Sequence, residues 1–132
     1  MSTHQTQNQI RSLNVLGTPL AICSTSPKTG WYRDGCCNTD DNDFGVHTVC
    51  ARVTNEFLEL LKEMGNDLIT PARQHGFPGL KHGDQWCVCA GSWYQAYLEG
   101  KACPVVLEAT HRRTLQIVPL EALMQHSYAI EN

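Results

Sequence analysis

Cysteine and histidine are the residues of this chain with the clearest capacity for chemistry. The sequence contains seven cysteines and six histidines in 132 residues. Thiolate and imidazole groups are ligands that zinc prefers, and a thiol beside an imidazole can act as a nucleophile. The sequence therefore raises two chemical hypotheses, metal binding and thiol-dependent catalysis.

The metal hypothesis concerns residues in or beside the predicted strands. The candidate zinc ligands are Cys50, Cys87, Cys89 and His111. Side chains two residues apart on a regular strand lie about 6.6 Å apart, whereas sulfurs bound to one tetrahedral zinc lie less than about 4 Å apart. Cys87 and Cys89 can therefore share a metal only across a bulge or a turn. Zinc stays an open alternative as a cofactor.

The thiol hypothesis begins with two adjacent cysteines in a turn-rich segment. The candidate catalytic residues are Cys36, Cys37, His47 and His111. Arg33 lies shortly before the two cysteines and favours a thiolate there, while the aspartates that follow oppose it. A Cys–His dyad would form if either histidine folded over this segment. Asp43 and His47 would form an acid–base pair if the loop between them tightened.

The cysteines are expected to be reduced. The N-terminal segment lacks a basic region followed by an apolar one, so it does not have the pattern of a secretory signal. We therefore expect a cytoplasmic protein, in which thiols stay reduced. An odd number of cysteines also disfavours a disulfide scaffold, because one of them must stay unpaired.

Two long segments rich in turn-forming residues, 24–44 and 66–83, favour a binding site. The candidate ligand-binding residues are Arg33, Asp43, His47 and Trp86. The function we prefer from the sequence is a binding or regulatory module in which these loops form a pocket for a small ligand or a peptide. The alternative is a small zinc-binding or thiol-dependent enzyme, so whether the protein is an enzyme stays open.

Periodicity and capping residues predict the elements that position these side chains. Thr54 is a suitable N-cap for a helix that ends near Gly65, and Ser92 with Gln95 forms a capping-box pattern for a second helix. A third, short helix is predicted over 119–126. Strands are predicted over 13–16, 19–23, 45–53, 85–90, 104–109 and 114–118.

Length and composition indicate one small globular domain. We predict a disordered lead-in over 1–12, followed by a single α+β domain over 13–132 with a short mixed sheet and two to three helices. The net charge of −3 argues against nucleic-acid binding. The chain has no apolar run of the roughly 18 residues that a membrane span needs. The expected partners are therefore small molecules or proteins.

Several motifs resemble one family. They are CSTSPKTGWYRDGCCNT, DFGVHTVCARVTNEFL, GNDLITP, GFPGLKHGDQWCVCA and VVLEATH. Together they resemble the small bacterial proteins grouped as domain of unknown function 2237, and the resemblance covers 14–123. The family pattern tends to have an arginine where this chain has Ser92 and a proline where it has Arg73. The resemblance implies a bacterial protein but no activity, cofactor or substrate.

Overall fold

The computed structural model describes residues 12–128, so the predicted lead-in lies, apart from Ser12, outside the described residues. The strands and helices are β1 (Val49–Arg52), α1 (Asn55–Glu63), β2 (Gln85–Val88), α2 (Ala90–Leu98) and α3 (Leu120–Gln125). Three short 3-10 turns cover Arg73–His75, Leu107–Ala109 and Arg112–Gln116. The predicted α+β class is confirmed. Within the described chain, none of the helices has the length and apolar character needed to cross a membrane.

The sheet consists of two antiparallel strands. Val49 of β1 lies opposite Val88 of β2, and Cys50 lies opposite Cys87. Val105 forms an isolated antiparallel bridge to Ala51 and an isolated parallel bridge to Ser127. Each of the two strands is shorter than the sequence predicted.

The predicted strands over 104–109 and 114–118 were wrong. Val105 forms only single bridges, and the chain then turns into 3-10 geometry. The amide of Ala109 bonds the carbonyl of Val106, and the Thr110 hydroxyl donates to the same carbonyl at 2.9 Å. These local bonds take up backbone groups that a strand would offer to a neighbour. The strands predicted over 13–16 and 19–23 likewise reduce to isolated bridges, from Leu13 to Pro19 and from Asn14 to His111.

Helix α1 forms where the sequence predicted it. The Thr54 hydroxyl accepts a hydrogen bond from the amide of Phe57 at 3.2 Å, which satisfies one of the donors that a helix start leaves free. Phe57, Leu58 and Leu61 are buried against the sheet and α2. Burying a side chain of this size contributes roughly 1.5–3 kcal/mol, so the apolar stripe holds the helix in place.

Helix α2 begins earlier than predicted. Its N-cap residue is Cys89, and Ser92 lies inside the first turn instead of capping it. The helix is held by Trp93, which is fully buried and donates from Nε1 to the carbonyl of Cys103 at 3.0 Å. Packing of this indole fixes the register of the helix, and tertiary contacts of this kind override a capping pattern. Cys89 is consequently at a helix N-terminus.

Two disulfide bonds correct the expectation of reduced thiols. Cys23 is bonded to Cys50 in β1, and Cys37 is bonded to Cys87 in β2. An odd number of cysteines means only that they cannot all be paired, and it does not argue against some disulfide bonds. The three free cysteines are Cys36, Cys89 and Cys103. The bonds close sequence separations of 27 and 50 residues, for which loop entropy gives about 3.5 and 4 kcal/mol of stabilisation. They hold the 24–44 loop against the sheet.

Candidate functional site

The register of the sheet brings His47 beside Cys89. Because Val49 lies opposite Val88, the residues just beyond the paired strands approach one another. Val46 has a left-handed φ of 51°, which is unusual for a β-branched residue and costs roughly 1–3 kcal/mol. Its carbonyl accepts a hydrogen bond from the amide of Ala90 at 2.9 Å. This bond fastens the segment before β1 to the start of α2.

Gly45 allows a very close approach at this point. A Cβ atom on Gly45 would lie 2.8 Å from Cε1 of His47 and 3.2 Å from Sγ of Cys89. The imidazole and the sulfur are therefore packed against the same backbone atom. A side chain of any size at this position would have to displace one of them.

Asp43 orients the imidazole of His47. The carboxylate is buried, and its Oδ1 lies 2.6 Å from Nδ1 of His47. Its Oδ2 accepts hydrogen bonds from the His47 amide and the Thr39 hydroxyl, both at 2.9 Å. Burial raises the pKa of Asp43, but the hydrogen bonds from His47 and Thr39 outweigh it and hold the pKa below its ordinary value. The structure thus forms the acid–base pair that the sequence allowed.

The imidazole of His47 connects this carboxylate to the sulfur. Its hydrogen bond with Cys89 is the main reason that the pKa of His47 rises to about 9, while burial opposes the rise and Asp43 supports it. Trp31 stacks on the ring with centroids 5.9 Å apart. A thiol, a base and an orienting carboxylate follow one another, as in cysteine-dependent catalytic triads.

Cys89 has the surroundings of a reactive cysteine. It is a free, half-buried cysteine at the N-cap of α2. A helix N-terminus carries partial positive charge and favours an anionic sulfur. The first-turn amides of Gly91 and Ser92 have no acceptor within the helix, which is general for the first turn. Such amides can donate to an oxyanion formed next to the sulfur.

Cys89 and His47 open onto a cavity of about 550 Å³. The cavity lies between the two turn-rich loops and β2, and its lining residues are Gly30, Trp31, Arg33, His47, Asn66, Asp67, Leu68, Ala72, His75, Phe77, Trp86, Cys87, Val88 and Cys89. Trp86 provides an apolar wall, with Phe77 packed edge-on against it. The guanidinium of Arg33 lies 5.0 Å from the Trp86 ring centroid. The cavity therefore combines apolar surface with the cationic side chain of Arg33.

The predicted ligand-binding residues are brought together. Arg33, His47 and Trp86 line the cavity, and Asp43 lies behind His47. Among the residues proposed as catalytic, only His47 belongs to this site. Cys89, which the sequence suggested only as a zinc ligand, lies at the start of α2 because this helix begins at Ala90 and not at Ser92.

The other candidate catalytic residues lie in different surroundings. Cys37 is in a disulfide bond. Burial, with a smaller contribution from Asp34, raises the pKa of Cys36. His111 caps a 3-10 turn, where its Nδ1 accepts from the amide of Arg113 at 3.0 Å. Neither histidine therefore forms a dyad with Cys36 or Cys37.

Of the predicted zinc ligands Cys50, Cys87, Cys89 and His111, the first two lie opposite one another across the sheet, but Cys89 and His111 do not join them. Cys50 and Cys87 are in separate disulfide bonds, whereas Cys89 pairs with His47. Burial, followed by the neighbouring arginines, lowers the pKa of His111. Among residues 12–128, the group with metal-binding spacing consists instead of Cys23, Cys37 and Cys87.

The fold and the site define a small α+β domain with a cysteine, a histidine and an aspartate in series at the wall of a cavity. A family model for DUF2237, described as an uncharacterized protein conserved in bacteria, matches residues 13–127. The chain belongs to this family, and the resemblance seen in the sequence motifs is confirmed. A comparison with curated proteins gives no match.

Proposed function

We propose that the protein is a thiol-dependent enzyme of the acyl-transfer class, with Cys89 as nucleophile, His47 as general base and acid, and Asp43 as orienting carboxylate. The observation that carries the proposal is the series Asp43–His47–Cys89, which ends at a cavity of about 550 Å³. Nucleophilic catalysis by cysteine needs a base within hydrogen-bond reach and a group that orients the base. This site has both.

The proposed reaction has two stages. In the first, His47 already holds the proton of the Cys89 thiol, and the sulfur bonds to the carbonyl carbon of the substrate. The imidazolium, stabilised by Asp43, then gives this proton to the leaving group as the bond to the carbonyl carbon breaks. In the second, water attacks the thioester while His47 accepts a proton, which then returns to the sulfur. The products are a carboxylic acid and the free thiol, and the first-turn amides of α2 stabilise both oxyanions.

The cavity supports a small substrate with an apolar body. Its volume lies in the usual range for small-molecule sites, roughly 300–1,000 Å³. The rings of Trp31, Phe77 and Trp86 favour apolar or aromatic groups. Arg33 donates from one nitrogen to the carbonyl of Gly30 at 2.9 Å, and its remaining N–H groups suit a carboxylate or phosphate. The proposed substrate class is thus an activated acyl compound with an anionic group.

The test is acylation of the full-length protein by p-nitrophenyl acetate, followed by peptide mass spectrometry. We expect the acetyl group on Cys89, with slower acylation in His47→Gln and Asp43→Asn and none at this site in Cys89→Ser. Cys36→Ser is the matched control, because Cys36 is also free and half-buried. Acylation of Cys36 at the same rate as Cys89 would contradict the proposal.

A second candidate is the binding module that the sequence favoured. The cavity between the loops 24–44 and 66–83 supports it, because a pocket with one cation and apolar walls can bind a small ligand or a peptide without chemistry. Binding of an aromatic carboxylate that is unchanged in Cys89→Ser but lost in Arg33→Ala, together with no acylation of Cys89, would favour this function over catalysis.

The cytoplasmic location expected from the sequence stays a prediction. Disulfide bonds are typical of oxidising compartments, whereas reduced thiols are typical of the cytosol. Fractionation of expressing cells, with alkylation of free thiols at the moment of lysis, would give both the location and the redox state of the four paired cysteines.

A further inference from the structure

The two disulfide bonds lie side by side in one buried cluster of four sulfurs. The sulfurs of Cys23, Cys37 and Cys87 are all within 4.8 Å of one another, and Cys50 is bonded to Cys23. The four residues are 4%, 0%, 0% and 2% exposed in the order Cys23, Cys37, Cys50 and Cys87. We refer to Cys23, Cys37, Cys50 and Cys87 as the sulfur cluster.

From this arrangement we propose that the reduced sulfur cluster is a structural zinc site with four cysteine ligands. Four thiolates around one zinc ion lie less than about 4 Å apart, and three of the four sulfurs, those of Cys23, Cys37 and Cys87, already lie within 4.8 Å of one another. The site uses none of the three residues of the Asp43–His47–Cys89 series. It differs from the zinc set expected from the sequence, since Cys89 and His111 are not part of it.

The backbone around the sulfur cluster is held by bonds that do not involve sulfur. Cys50 and Cys87 face one another across β1 and β2. Their amides donate to the hydroxyls of Thr110 and Thr29, at 3.1 and 2.9 Å. Gln85 bonds the carbonyl of Cys23 at 2.6 Å. Reduction therefore leaves three of the four ligand positions fixed by backbone and side-chain hydrogen bonds.

The surroundings also suit a site with negative charge. A zinc ion with four thiolates carries two net negative charges, which neighbouring donors and cations must offset. The Gln85 side chain lies 3.9 Å from the sulfur of Cys50 and donates to it. Tyr128 packs against the sulfur cluster, and the guanidinium of Arg52 lies 4.6 Å from its ring centroid. Arg52 supplies positive charge on that side.

Reduction of the two disulfide bonds, followed by binding of zinc, balances when the reductant is a dithiol. Two equivalents of dithiol give four electrons and four protons to the two disulfide bonds, and each dithiol becomes a disulfide. The four cysteine thiols then release four protons as they bind one zinc ion. Oxidised protein has no free thiolate in the sulfur cluster and is expected to bind no zinc there.

The experiment compares oxidised and dithiothreitol-reduced full-length protein after exposure to Zn²⁺ and removal of the unbound metal. We expect one zinc per chain in the reduced protein and none in the oxidised protein. Alkylation followed by mass mapping should show that zinc protects the sulfur cluster, four of the seven cysteines. Reduced, folded protein without stoichiometric zinc would overturn the proposal.

Matched variants locate the metal. Cys23→Ser should lose stoichiometric zinc, whereas Cys103→Ser, which changes a buried cysteine outside the sulfur cluster, should keep it. Zinc that depended on Cys89 instead would refute the assignment. Because Cys23→Ser can also unfold the protein, Co²⁺ substitution in the wild-type chain gives a separate readout. Absorption bands of tetrahedral cobalt with thiolate ligands are expected, and octahedral bands would contradict the site.

Discussion

The coupling between Cys89 and His47 can be measured directly at the histidine. The pKa of His47 is raised to about 9, chiefly by its hydrogen bond with Cys89. Replacing Cys89 with alanine removes this bond, while burial continues to oppose the charged imidazole and Asp43 continues to support it. We expect the pKa of His47 to fall by at least about 1 in Cys89→Ala. This is a tenfold or larger change in the ionisation constant.

The difference in the protonated fraction of His47 is large near neutral pH. At pH 8, an imidazole with a pKa of about 9 is roughly nine-tenths protonated, whereas one with the ordinary value of about 6.5 is almost entirely neutral. In Cys89→Ala the histidine titrates without the sulfur.

The assay is an NMR titration of the imidazole Cε1–H signals between about pH 5 and 10, with the His47 signal assigned from its loss in His47→Gln. Cys36→Ala is the control, because it removes another half-buried free thiol and should leave the His47 titration unchanged. If His47 titrates at the same pH in Cys89→Ala and in the native protein, the sulfur does not interact with the ring and the proposed mechanism fails.

Three further predictions concern stability and the shape of the site. Gly45→Ala should slow acylation of Cys89 at least about tenfold and destabilise the protein by roughly 1–3 kcal/mol, because the new Cβ would lie 2.8 Å from the His47 ring. Gly91→Ala is its control in urea unfolding. A Cβ there meets nothing within 4 Å in the described structure, and alanine should stabilise α2 by about 0.5–1 kcal/mol. Burial lowers the pKa of His111 below its ordinary value, so its contribution to stability is fully present above about pH 6.5 and is lost as the pH falls through the lower folded value. The thermal midpoint should therefore fall less between pH 7 and pH 5 in His111→Asn than in the native protein, and an equal fall would contradict this account. Thr54→Ala should cost about 1 kcal/mol in the same unfolding measurement, through loss of the α1 cap, and a change near zero would show that the cap is replaced by water.

The sequence by itself determined the features that depend on neighbouring residues. The cap at Thr54 and the apolar stripe that follows it define α1 within a few positions, because a helix is built from bonds between residues four apart. The pairing of Asp43 with His47 could also be predicted from the sequence, because only a short loop separates the two residues. The two turn-rich segments were visible from their composition, and they do border the cavity.

The tertiary structure alone decided which cysteines meet which partners. His47 and Cys89 are distant in sequence, and they meet because β1 and β2 pair in one register and because Trp93 fixes the start of α2. The sulfur cluster likewise combines two loop residues with two facing strand residues. Sheet register is set by the summed burial of many side chains, and a shift of one residue would turn each side chain to the opposite face. No local pattern around a cysteine contains that information, so the proposed nucleophile and the paired sulfurs follow only from the folded chain.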